Sequence, residues 1–196
     1  MTTILRLDSS IKGDASISRK LLDRAQERLA AAHPDAEIVT RDLSRGVPQI
    51  DAAWIGAIFT PAGQRSAEQA EIAAYSDALL AEVRAADILL MGLPVYNFGV
   101  PAQLKSWFDH LARKDETFTY TEAGPEGLLK GKRAIVALSS DGTKLGSEID
   151  FASGYVRHML GFFGIADVQF VAADALVFAP EATLKAAEDQ IDTLAA

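Results

Sequence analysis

Residues 87–93 read DILLMGL, and after the opening aspartate no position in the run is polar. A strand with one face in water alternates polar and apolar residues, whereas a short unbroken apolar run marks a strand buried on both faces. Burial on both faces requires helices on both sides of a sheet, which is the layer architecture of parallel α/β proteins.

The rest of the chain alternates strand-length apolar runs with longer helical patterns. Strands are expected at 3–7 (TILRL), 36–43 (AEIVTRDL), 87–93, 133–138 (RAIVAL) and 168–172. Helices are expected at 18–32, where Leu21, Leu22, Ala25 and Leu29 share one face, and at 66–86, 101–112, 148–163 and 181–194. His33-Pro34 stops the first helix. Pro101 suits the first position of the third, where its missing N–H costs nothing. Residues 44–65 read as a long excursion with one short helix over the apolar patch Trp54–Phe59, and the polar, glycine-containing segment 114–131 as a second excursion. Five strands alternating with helices predict a doubly wound parallel sheet with right-handed crossovers, helices on both faces, and a single domain over 1–196.

Composition narrows the chemistry. The net charge of −8 argues against nucleic acid and anionic membrane as partners, because both need clustered Lys and Arg. The absence of cysteine excludes disulfides, thiolate nucleophiles and Cys-ligated metal centres, so redox chemistry has to come from a cofactor. The longest uncharged run, 88–104, contains two prolines and falls short of the roughly 20 residues of a membrane span. The opening MTTILRLDSS has neither the basic start nor the long apolar stretch of a signal peptide, so a cytoplasmic protein without membrane association is expected.

Ligands of doubly wound sheets bind beyond the carboxyl ends of the strands, which singles out three loops. The first, DSSIKGDASIS at 8–18, has no dinucleotide or P-loop glycine pattern, but it carries four serines around a helix start. Hydroxyls and free N–H groups there suit a phosphate monoester; ordinary capping by Ser16 or Ser18 is the competing reading. Asp14 would have to point to solvent. The second loop, PVYNFGV at 94–100, offers Tyr96 and Phe98 as flat faces and Asn97 as a donor and acceptor for the polar edge of a pyrimidine-like ring. A packed turn with Asn97 left-handed is its alternative. The third loop, SSDGTKLG at 139–146, has small residues that let backbone approach a flat ligand. Its Lys144 either supplies positive charge to that ligand or belongs to a plain surface turn.

Three stretches carry a resemblance: LPVYNFGVPAQLKSWFDHL, FTYTEAGPEGLLKGKRAIVALSSDG and LGFFGIADVQFV. Through them nearly the whole chain resembles the FMN-dependent NADH-azoreductases, also called quinone reductases, least so over 44–65. The resemblance implies a flavodoxin-like fold, a homodimer, and one FMN per subunit with NADH or NADPH as donor. It also implies ping-pong two-electron reduction of quinones and reductive cleavage of aromatic azo compounds. It places Ser10, Ser16, Ile17 and Ser18 on the phosphate. Val95, Tyr96, Asn97 and Phe98 would meet the ring, with Ser139, Ser140, Asp141 and Gly142 at its second edge. Tyr120, Phe162 and the divergent Phe59 region would shape the substrate side. No catalytic acid is assigned; His33, His110 and His158 are read as structural or exposed, and no metal is implied. Many relatives have Met where Val95 stands and Arg-Gly where Ser140-Asp141 stands. The Asp141 carboxylate therefore needs water, Lys144 or Arg133 to offset it. A flavodoxin-type electron carrier is the alternative function; it shares fold and FMN but has no need of the 114–131 excursion.

Overall fold

Strand β1 (Thr3–Asp8) leads through a serine loop into helix α1 (Ile17–Ala32), which returns to β2 (Glu37–Asp42). A crossover carrying α2 (Ala52–Phe59) and α3 (Ala67–Ala85) leads to β3 (Ile88–Pro94), followed by α4 (Ala102–Leu111). A hairpin of β4 (Phe118–Thr121) and β5 (Gly124–Gly127) precedes β6 (Arg133–Ser139), α5 (Phe151–Phe163), β7 (Asp167–Ala173) and α6 (Pro180–Asp192). This computed structural model describes residues 1–194; Ala195 and Ala196, the end of the expected domain, lie outside the described residues.

Five strands form one parallel sheet in the order β2-β1-β3-β6-β7. That order reverses direction between β1 and β3, which creates the switch point where such sheets bind ligands. All seven residues of β3 are buried, as the apolar run requires. Side chains alternate across the sheet. Leu5 and Leu7 enter the core under α3, α4 and α5 with Trp107 and Phe108, while Ile4 enters the core under α1 and α6 with Leu21 and Leu22.

Several boundaries differ from the sequence expectation. Helix α5 starts at Phe151, three residues after Glu148, because the Asp150 carboxylate accepts from the N–H groups of Ala152 and Ser153 and ends the preceding turns. Pro101 sits outside α4, with an extended ψ of 142°, so Ala102 is the first helical residue. The 114–131 excursion is ordered as the antiparallel β4–β5 hairpin. Its strand signal is weak in the sequence because Gly124-Pro125-Glu126-Gly127 has no apolar alternation; tertiary contact supplies what propensity lacks. Gly127 lies flat against the end of α5, where a Cβ would fall 2.1 Å from the Gly164 nitrogen. Leu129 N–H donates to the Phe163 carbonyl at 2.7 Å.

Candidate functional site

The three loops expected to form a site converge on one cleft of 1060 Å³ at the carboxyl ends of β1, β3 and β6. Ser10, Ser16 and Ile17 line its first wall; Val95, Tyr96 and Asn97 its second; Ser139, Ser140 and Asp141 its third.

The first wall is tied to the sheet. The Ser9 hydroxyl donates to the Gly92 carbonyl at 2.6 Å, and buried Ser10 places its hydroxyl 3.2 Å from the Tyr96 hydroxyl. The Ile11 N–H also donates to Tyr96 Oη, at 3.2 Å. Tyr96 thus does more than offer a flat face: it clamps the serine loop to the β3 loop. Ser16 caps α1, its hydroxyl accepting from the Arg19 N–H at 3.2 Å, and the Ser18 hydroxyl meets Ser16 Oγ at 3.1 Å. Capping leaves the amides of Ile17 and Ser18 without intrahelical acceptors, so capping by Ser16 leaves donors at this terminus that an anion can use. The buried Ser18 side chain stays behind the lining. Asp14 is exposed and outside it.

The second wall is a tight reversal. Tyr96 and Gly99 exchange backbone hydrogen bonds at 3.1 and 3.0 Å around Asn97 (φ 49°) and Phe98 (φ 69°). Two central residues at positive φ define a type I′ turn. Asn tolerates that conformation, but an aromatic residue is strained in it. Asn97 is left-handed, as the turn reading expects, and it also lines the cleft. Phe98 is half exposed, with its side chain outside the lining.

The third wall is anchored to the end of β7. The Ser140 N–H donates to the Ala173 carbonyl at 2.9 Å, and its hydroxyl accepts from the Thr143 N–H at 2.9 Å. Asp141 lines the cleft and is exposed to water. Gly142 turns toward Val177 and Phe178. Lys144 is exposed and outside the lining. Arg133 opens β6 at the end opposite Ser139, so it cannot offset the Asp141 charge; strand direction places it there.

The sequence reading missed Lys12, Lys105, Phe151, Tyr155 and Leu176, which also line the cleft. Phe151 and Tyr155 stand four residues apart on one helix face, a spacing that carried a usable signal; Leu176 follows β7 and carried none. Lys105 is paired with Asp109 at 2.6 Å. Burial, aided by the Asp109 carboxylate, pushes the Tyr155 phenol up to about 12, which keeps it a hydrogen-bond donor at neutral pH.

Phe59 and Tyr120 line a separate cavity of 900 Å³ between α2, α3 and the hairpin, which shares no lining residue with the cleft. Both are exposed, Phe59 by 73% and Tyr120 by 65%. Half-buried Phe162 packs on Phe118 at 4.4 Å between ring centroids, and Phe118 packs on Tyr120 at 5.6 Å. Among the described residues no cluster of His, Asp and Glu could hold a metal. No helix of the described chain is long and apolar enough to cross a membrane.

The cleft fits FMN. Its size is at the upper end of the roughly 300–1,000 Å³ of cofactor sites. Serine hydroxyls and helix amides on one wall suit a phosphate, and Asn97 with the backbone of a strained turn on another suits a polar ring edge.

Sheet order and cleft together define a flavodoxin-like protein with its binding cleft at the switch point of the sheet. The family described as having a flavodoxin-like fold matches residues 2–195. An FMN-dependent NADH:quinone oxidoreductase of Cereibacter sphaeroides strain KD131 is 61% identical over 196 residues, the whole of both chains. One from Jannaschia sp. is 57% identical over the same span. An FMN-dependent NADH-azoreductase from Bacillus anthracis, solved in complex with FMN, superposes with a TM-score of 0.89 at 28% identity, covering 98% of this chain and 96% of that one. The chain belongs to this flavodoxin-like family of FMN-dependent NADH:quinone oxidoreductases.

Proposed function

We propose that the protein is a cytoplasmic FMN-dependent oxidoreductase that takes electrons from NADH and reduces quinones to hydroquinones, and that it also cleaves aromatic azo compounds reductively to amines. The observation that carries this reading is the convergence of the serine-lined helix start and the strained aromatic-amide turn on one cleft. FMN, when bound, supplies two-electron acceptance and delivery. The residues do the rest. Ser10, Ser16 and the amides of Ile17 and Ser18 bind the phosphate, while Asn97 and the backbone of residues 95–98 orient the ring. Ser139, Ser140 and Asp141 meet its second edge, and Tyr155 holds its proton as a donor on the α5 wall.

A homodimer completes the substrate side. Within one chain Tyr120, Phe162 and Phe59 do not line the cleft, yet two of them are large apolar groups in water. A second copy that brings its hairpin over the cleft mouth would cover the open face of the ring and exclude water from it.

The test is an anaerobic titration of the FMN-loaded protein with NADH. The visible flavin absorbance bleaches and returns when a quinone is added. Failure to bind FMN overturns the reading; FMN binding without bleaching by NADH overturns it as well and points to an electron carrier that does not oxidise NADH directly.

A further inference from the structure

A buried carboxylate stands where an anion is least welcome. Asp8 ends β1, two residues before Ser10 on the first wall of the cleft, and is 2% exposed. Its side chain lies on the α1 side of the sheet, within reach of Arg19 in the first turn of that helix. A phosphate dianion held at the same turn would be repelled by it, and burial removes the water that would screen that repulsion.

Two guanidinium groups surround the carboxylate. Arg6, itself 9% exposed, binds it with both arms, Nε to Oδ2 at 3.0 Å and Nη2 to Oδ1 at 3.2 Å. Its third nitrogen, Nη1, donates to Asp23 at 2.6 Å and to Gln26 at 3.2 Å. Arg19 approaches from α1, Nη1 lying 3.8 Å from Asp8 Oδ2, while its Nη2 donates to Asp42 at 2.7 Å and to Ser44 at 3.1 Å. Arg19 Nε is buried without a partner, so its guanidinium is held by its position between two carboxylates. Arg6 faces α1 from within the sheet and does not touch the cleft.

We propose that the Arg6–Asp8–Arg19 cluster sets the charge beneath the phosphate loop, so that Asp8 limits and Arg6 restores the affinity of the cleft for a phosphorylated flavin over an unphosphorylated one. The proposal rests on the FMN reading above. Asp8 and Arg6 act through the field at the loop, and neither contacts the ligand.

The experiment compares FMN with riboflavin, which lacks the phosphate, by fluorescence quenching on the full chain stripped of flavin. Unscreened unit charges a few ångströms apart are worth about tenfold or more in affinity. Asp8→Asn leaves Arg6 on Asp23 and is expected to tighten FMN about tenfold, with riboflavin unchanged and the gain largely kept as salt is raised, because a buried charge is screened little. Arg6→Met is expected to weaken FMN by a similar factor, and adding Asp8→Asn to it restores the original affinity. Arg6→Met leaves a buried carboxylate with one partner fewer, so Asp8→Asn alone decides the matter if that variant does not fold. Equal changes for FMN and riboflavin, or no change in their ratio, overturn the proposal and leave the FMN reading standing. No FMN binding by the unaltered chain overturns both.

Discussion

The cleft at the ends of β1, β3 and β6 and the cavity beside the β4–β5 hairpin are of similar size, 1060 and 900 Å³. They are built in opposite ways. The cleft has buried serines, backbone amides and a strained turn, all pinned by short hydrogen bonds to the central sheet. The hairpin cavity has exposed Phe59 and Tyr120 and a rim of ion pairs among Arg65, Asp77, Arg113 and Glu116. A site anchored to the sheet is organised before its ligand arrives, which lowers the ordering cost of binding. The hairpin side presents exposed aromatic side chains instead, so cofactor binding and acceptor choice should respond to different substitutions.

The largest separation is expected from Gly127→Ala. Its Cβ would fall 2.1 Å from the Gly164 nitrogen, and overpacking backbone against backbone costs about 3 kcal/mol or more. Thermal unfolding should show that loss and acceptor turnover should fall, while the protein that remains folded keeps its FMN affinity. An unchanged melting temperature would mean that the hairpin does not seat on α5 as described. Asn97→Ala is next. It removes the amide and strains the φ of 49°, and FMN binding should weaken about tenfold, within the range for a hydrogen bond plus an unfavourable left-handed alanine. Asn97→Gly keeps the turn and removes only the amide. If its affinity matches the unaltered protein, Asn97 is a turn residue alone.

Tyr120→Ala should raise KM for a quinone several-fold, about the effect of losing one aromatic contact, with FMN affinity unchanged. A parallel loss of FMN would merge the two regions that the structure separates. The smallest effect is the pH response of the α2 wall. His110 packs edge-on against Trp54 and Tyr75, its Nε2 lies 2.9 Å from the Pro48 carbonyl, and Nδ1 is buried without a partner. Burial, with Arg113 adding, holds its pKa below the ordinary 6.5 against the opposing pull of Pro48 and Asp109. The unfolded chain therefore takes up the proton first. The stability due to neutral His110 is present above pH 6.5 and is lost as pH falls through the lower folded value. Hydrogen exchange over Ala52–Phe59 should rise in that window while the sheet stays protected, and His110→Gln should abolish the step.

The cleft was the more legible region. DILLMGL announces a doubly covered strand, and strand-end position alone selects its three loops. Nine of the twelve expected cofactor residues line the cleft; Ser18, Phe98 and Gly142 do not. Those three face elsewhere for reasons of local geometry: a neighbouring hydroxyl, a positive φ, and the chain after β7. The hairpin was opaque because its second strand, Gly124–Gly127, lacks alternating apolar residues and its first spans only four.

The amino-acid sequence determined the strands, the helices that cover them and the residue types at the binding edge, because hydrophobic period and the alternation of strand and helix along the chain are local and cumulative properties. Tertiary structure alone decided that Tyr96 would clamp the serine loop, that Arg19 would approach Asp8 from α1, and that Phe59 and Tyr120 would share a cavity apart from the cleft. Each of these joins side chains brought together by packing, at separations that no periodicity in the chain records.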